Sequence, residues 1–236
     1  MLKKILKKII FREKASSEDY VSWLRKHGVK IGEDVSIYAP TKTKIDVTCP
    51  WLLKIGSHVR ITEGVTILTH DYAWSVLKNA PKTKGAILGA QSPVTIGDNV
   101  FIGMNTVITR GVSIGNNVII GAGSVVTKDC GSDAVYAGNP ARKIMSLSEY
   151  YEKRASLQHE EAKKLVQVYR DAFGEDPPKE VFFEYFMLFC TSEEATAVPA
   201  FKRQMELGTG GEDSVLYLRE HSPRFSSFEE FLETCK

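Results

Sequence analysis

Residues 94–129 read VTIGDNVFIGMNTVITRGVSIGNNVIIGAGSVVTKD, and every sixth residue from Ile96 gives Ile96, Ile102, Ile108, Ile114, Ile120 and Val126. The position after each reads Gly97, Gly103, Thr109, Gly115, Gly121 and Thr127. The fifth position of each repeat reads Val100, Thr106, Val112, Val118, Ser124 and Cys130, all small or β-branched. A period of six excludes an α-helix, whose apolar spacing is about 3.6, and differs from the plain alternation of a long strand. The pattern predicts a short strand and a turn, repeated, with one aliphatic and one small side chain of each strand pointing inward. Stacked coils then pair their backbones with the coils above and below, and the interior becomes one apolar column. Asn99, Asn105, Asn116 and Asn117 are expected to take turn conformations that are costly for most residues.

A weaker run lies upstream. Ile31, Ile37, Thr43, Cys49, Ile55, Ile61 and Ile67 hold one phase, with Val35, Thr41, Val47, Leu53, Val59 and Val65 as their fifth positions. The spacing from Ile67 to Ile96 is not a multiple of six, so an insertion leaves the repeat over about residues 68–93. The chain therefore divides into an N-terminal helical segment (1–28), a repeat domain (29–145) interrupted by that insertion, and a helical region (146–236).

The stretch 94–129, followed by AGNPARKI at 137–144, resembles the hexapeptide-repeat acyltransferases, which include maltose, galactoside and serine O-acetyltransferases and streptogramin acetyltransferases. The resemblance covers roughly residues 29–145. It implies an all-β solenoid, a left-handed parallel β-helix with three hexapeptides per coil. It also implies a homotrimer with sites between subunits, and acetyl-CoA as co-substrate. The C-terminal helices, with the SEYYEK text at 148–153, look like those of acetyltransferases of surface-polysaccharide pathways.

The insertion begins LTHDYAW at 68–74. A loop projecting from a rigid scaffold commonly carries function. A sugar hydroxyl is a poor nucleophile until its proton is removed, and a histidine near its ordinary pKa suits that task. The resemblance makes His70, at the junction of repeat and loop, the general base. Asp71 is a candidate to orient the ring or to bind substrate, and Tyr72 and Trp74 are candidates to stack on a sugar. Phe101 stands where relatives often place a tryptophan beside the acceptor.

Acetyl-CoA needs backbone donors along its pantetheine arm and cations at its phosphates. By resemblance, Gly103 and Met104 supply amides near the thioester, and Ala122 and Gly123 supply amides to the arm. Thr127 and Lys128 follow, with Lys128 and Arg142 meeting the phosphates. A single one of these residues reads as readily as a turn or a solvated side chain; the ordered set favours cofactor binding.

Composition is ordinary for a globular chain of 236 residues: 43% hydrophobic, 25% charged, net charge +2. That charge does not indicate a nucleic-acid-binding surface. Four cysteines, Cys49, Cys130, Cys190 and Cys235, form no CxxC pair, and the five histidines form no close pair, so no metal site is expected. No export signal is read in the sequence, so a reducing cytoplasm is the expected location. Leu2, Ile5, Leu6, Ile9 and Ile10 fall on one helical face with Lys3, Lys4, Lys7 and Lys8 mostly opposite, which reads as a helix packed on protein or one touching a membrane surface.

In the C-terminal region, Ser146 to Glu149 is a capping box opening a long helix that ends at Gly174. Tyr150, Tyr151, Leu157, Leu165, Val168 and Phe173 are its candidate buried residues. Asp176-Pro177-Pro178 is expected to open a second helix, aromatic almost all round, carrying Phe182, Phe183, Tyr185, Phe186, Leu188 and Phe189. The leading expectation is a CoA-dependent O-acetyltransferase acting on a sugar or polysaccharide precursor. The alternatives are N-acetylation of an amino sugar, acetylation of serine or an antibiotic, a metal enzyme on the same repeat, and a non-catalytic scaffold.

Overall fold

Short strands follow one another into three sheets in strict rotation. The computed structural model describes residues 2–208 and 210–236, with side chains from Leu6 onward; Met1, Thr209 and the side chains of Leu2, Lys3, Lys4 and Ile5, which the sequence places on the N-terminal helix, lie outside the described residues. The chain forms two compact units, residues 1–150 and 151–236.

The first unit opens with helices α1 (Leu2–Phe11) and α2 (Ser17–Lys26). Strands β1 (Lys30–Ile31), β2 (Ser36–Ile37) and β3 (Lys44–Ile45) make the first coil, and β4 (Leu53–Ile55), β5 (Arg60–Ile61) and β6 (Thr66–Ile67) the second. After the insertion come β7 (Val94–Ile96), β8 (Val100–Ile102), β9 (Val107–Ile108), β10 (Ser113–Ile114), β11 (Val118–Ile120) and β12 (Val125–Val126). β13 (Ala134–Ala137) and the antiparallel β14 (Arg142–Ser146) close the stack. Successive coils pair in parallel, so Ile55, Ile96 and Ile114 align in one sheet. Ile37, Ile61, Ile102 and Ile120 align in the second, and Ile45, Ile67, Ile108 and Val126 in the third. These aliphatics are buried and form one continuous core with α2.

The upstream phase needs correction. Ile45, not Thr43, pairs with Ile67, and Cys49 belongs to no strand. The 3₁₀ turns Pro40–Lys42 and Pro50–Leu52 take up extra residues at two corners. The first corner holds two more than a hexapeptide allows and the second four, which together equal one repeat and leave the later phase unchanged. Thr43 is nonetheless buried, with its hydroxyl donating to the Tyr38 and Ala39 carbonyls. At the far end Cys130 bridges to Ile114, because the last coil is shorter than the others.

Asn99, Asn105 and Asn117 take positive φ, at 53°, 58° and 55°. Asn116 does not; its side chain instead accepts from the Asp98 amide of the coil before it. Coil spacing leaves little room at the glycine column. A Cβ on Gly97 would lie 2.7 Å from the Gly115 carbonyl oxygen. Gly97→Ala is therefore expected to cost about 1–3 kcal/mol, read as a lower urea midpoint with an unchanged m-value.

The second unit holds the rest of α4 (Leu147–Phe173), then α5 (Ser192–Ala197), α6 (Pro199–Met205), α7 (Gly211–Glu220) and α8 (Phe228–Glu233). The Ser146–Glu149 capping box forms, with Ser146 accepting from the Glu149 amide and Glu149 from the Ser146 amide. The expected second helix is two 3₁₀ turns, Lys179–Phe182 and Phe186–Leu188. A helix aromatic on all sides would need burial all round. The turns instead bury Phe182, Phe186 and Phe189 against Phe201, Phe228 and Phe231, while Phe183 stays outside. On α4 the fully buried residues are Ala162 and Val166, whereas Tyr151, Leu157, Val168 and Phe173 are exposed. Their placement in the sequence-derived core is overturned: the small Ala162 and the slim Val166 mark the face that packs closest.

Candidate functional site

The insertion over 68–93 leaves and rejoins the coil side by side. Thr69 accepts from the Ser92 amide, the Asp71 amide donates to Ala90, and His70 forms an antiparallel bridge with Gln91. His70 is thus clamped at the loop base, before the short helix α3 of the insertion (Trp74–Asn79).

One coil earlier, Asp46 follows Ile45 at the same corner. Its Oδ2 accepts from His70 Nδ1 at 2.5 Å, from the Thr69 hydroxyl at 2.6 Å and from the Thr69 amide at 3.0 Å. Its Oδ1 accepts from the Thr48 amide at 2.9 Å. The Asp46 side chain is 6% exposed and that of His70 17%. Burial pushes the Asp46 carboxyl up, but the Thr69 hydroxyl and the Thr48 and Thr69 amides outweigh it and hold the group far below the usual carboxylate range. An ionised carboxylate only accepts, so Nδ1 carries the imidazole hydrogen and a neutral ring keeps its lone pair on Nε2.

A depression of about 360 Å³ lies here, lined by Leu68, His70, Asp71, Thr109, Arg110 and Thr127. Leu68, Thr109 and Thr127 occupy the residue after the last inward aliphatic on three successive coils, so the coil register builds this wall. Asp71 does not orient His70. Its Oδ2 accepts from Arg110 Nε at 2.6 Å and its Oδ1 from the Ala73 amide, and the Arg110 guanidinium leads in holding its carboxyl below the ordinary range. Tyr72 meets His70 edge to face with ring centroids 5.0 Å apart, and Trp74 lies 6.0 Å beyond Tyr72.

Other sequence candidates lie elsewhere on the unit. Phe101 stands on the outer face of the middle sheet, in register with Arg60 and Ile119, and is not among the residues lining the depression. Gly103 and Gly123 are corrected as amide donors to a cofactor: Gly103 donates to Ile120 and Gly123 to Met104, both in coil-to-coil hydrogen bonds. Among the described residues, no protein acceptor meets the amides of Met104 and Ala122, at the turns next to these glycines. Lys128 and Arg142 are exposed. Cys130 and Cys190 are unsuited as nucleophiles, because burial pushes each thiol up to about 11. Larger cavities lie within the second unit, the one lined by Tyr151, Asp213, Tyr217 and His221 measuring about 620 Å³, but there the His221 Nδ1 pairs with the Tyr217 carbonyl rather than with a carboxylate.

Sequence reading missed Asp46, Thr69 and Arg110. For Asp46 the available signal was D-x-T at 46–48, an Asp whose side chain accepts an amide two residues on.

The profile for the hexapeptide repeat of succinyl-transferase matches residues 93–128. Protein CapG of Staphylococcus aureus is 41% identical over 150 residues, 63% of this chain and 81% of that protein. YvoF of Bacillus subtilis (strain 168), which carries an acetyltransferase assignment, is 30% identical over 134 residues, 57% of this chain and 68% of that protein. A maltose O-acetyltransferase from Clostridium difficile 630 aligns with a TM-score of 0.40 at 29% identity, covering 61% of this chain and 82% of that one.

Proposed function

This chain belongs to the hexapeptide-repeat acyltransferases, and we propose that it transfers an acetyl group from acetyl-CoA to a hydroxyl of a sugar or polysaccharide precursor. The observation that carries this reading is the Asp46–His70 pair at the depression, with Nδ1 held and Nε2 left to act. Nε2 takes the hydroxyl proton as the acceptor oxygen attacks the thioester carbon within a ternary complex. The tetrahedral intermediate then collapses, the carbon–sulfur bond breaks, and the imidazolium returns the proton to the departing thiolate. Asp46 stabilises the imidazolium while it exists.

The amides of Met104 and Ala122 fit the roles of oxyanion and pantetheine donors, beside the tightly packed Gly103 and the positive-φ turn at Gly123. Thr127 borders the depression, and Lys128 and Arg142 lie further along the chain as cations for the phosphates. Tyr72 and Trp74 suit the apolar face of a sugar ring.

We place three copies around each set of sites, on coils that wind left-handed as the sequence resemblance implies. Support for an oligomer comes from Val76, Ile87 and Leu88, apolar residues of the insertion that a single chain leaves exposed. The four free thiols suit a reducing cytoplasm.

Calorimetric titration tests the donor. Acetyl-CoA is expected to bind saturably in the micromolar range, and Lys128→Ala and Arg142→Ala each to weaken it about 10-fold. A folded protein that binds neither acetyl-CoA nor CoA would favour a non-catalytic scaffold instead.

A further inference from the structure

The N-terminal helix α1 (Leu2–Phe11) is built unlike the rest of the first unit. Every described residue of it, Leu6 to Phe11, is exposed, and the unit's core begins at Tyr20. Leu6, Ile9 and Ile10 are 56%, 69% and 60% exposed. At helical spacing these three span an arc of about 100°, and Lys7 and Lys8 lie on the opposite side.

The sequence of α1 contains four lysines and no acidic residue. Lys8 is tied to Asp19 of α2 at 3.0 Å, which anchors the polar side of the helix to the body and leaves the aliphatic side facing away from that contact. The chain then turns at Arg12, whose φ is +49°, and Lys14 is fixed by the Thr43 carbonyl and the Tyr20 ring.

A ten-residue helix with no buried side chain among those described is marginal in water, because few hydrogen bonds offset the cost of nucleation. It needs a surface for its aliphatic stripe. The charge of its polar side selects among surfaces: lysines flanking an aliphatic stripe match an anionic lipid headgroup layer, in which the stripe enters the acyl boundary and the ammonium groups stay among phosphates. The helix is too short to cross a bilayer, and no described helix is long and apolar enough to do so.

We propose that α1 docks this protein on the surface of an anionic phospholipid bilayer, lying in the interface plane. The apolar contact comes from Leu6, Ile9 and Ile10, and the lysines supply the preference for negative lipid. No described residue of α1 lines the His70 depression, so the proposal does not rest on the proposed acetyl transfer.

The test is co-sedimentation of the full-length protein with two kinds of vesicle, pure phosphatidylcholine and phosphatidylcholine with one quarter phosphatidylglycerol. The wild-type protein is expected to sediment with the anionic vesicles at low salt, to remain largely in solution with the neutral ones, and to be released at about 0.5 M salt. The double variant Ile9→Glu, Ile10→Glu is expected to reduce partitioning at least about 10-fold while keeping the thermal transition and acetyl-CoA binding of the parent. Three results would overturn the proposal. They are no sedimentation of the wild type, equal sedimentation of the double variant, or a smaller oligomer for the double variant in lipid-free solution, which would put α1 between copies of the chain.

Discussion

Replacing His70 with alanine is expected to lower kcat by about 10²–10⁴-fold while the coil stays folded. The fold should survive because the ring is not part of the apolar column. Its removal also leaves the Asp46 carboxylate with the Thr48 amide and both Thr69 donors, so no buried charge is stranded. The loop base keeps its own hydrogen bonds through Thr69, Asp71, Ala90 and Ser92. The loss should therefore fall on turnover, with acetyl-CoA affinity nearly unchanged. Free-thiol release across a panel of mono- and disaccharides, alongside a thermal melt, separates the two effects. Turnover near that of the wild type would remove His70 from the reaction.

Asp46→Asn is the second substitution of large expected effect. The asparagine has the same shape, but one of its two polar atoms now donates. Where the amide group faces His70, Nδ1 must accept, the hydrogen moves to Nε2, and the base is lost; where the oxygen faces it, the imidazolium loses its counter-charge. Either arrangement is expected to lower kcat by about 10²–10⁴-fold, in steady-state assays of the folded variant. The same substitution has a signature in stability. A carboxyl held below its ordinary value stabilises the native state fully above its unfolded value of about 4, and loses that contribution as pH falls through the lowered native value. The difference in stability between wild type and Asp46→Asn should accordingly shrink in strong acid. An unchanged kcat would mean that the 2.5 Å contact holds the loop in place and does nothing for the base.

The downstream repeat was legible because each coil there has the same length, so Ile96 to Val126 reads as one column in sequence and in space. Upstream, the same rule misplaced Thr43 and Cys49. Two corner insertions that together equal one hexapeptide keep the count in phase while moving the inward residue from Thr43 to Ile45. That local error hid Asp46, which gains meaning once Ile45 is seen to sit beside Ile67 and to bring the next corner against His70. The break in the repeat marked His70 as a residue the hexapeptide does not explain, and the family resemblance, not the break, proposed it as the base. The partner of His70 was not legible, because a neighbour in sequence, Asp71, points to Arg110, while the true partner lies a full coil away.

The aromatic run at 182–189 shows the opposite limit. Its spacing fits a helix, and the backbone forms 3₁₀ turns because tertiary burial of Phe182, Phe186 and Phe189 decides the local path.

The most direct test is a double-mutant cycle on kcat for sugar-dependent thiol release, comparing wild type, His70→Ala, Asp46→Asn and the double variant. If Asp46 acts through the His70 ring, the double variant should be no slower than His70→Ala alone. Rate losses that multiply would contradict that, and would show the two residues acting on the reaction independently.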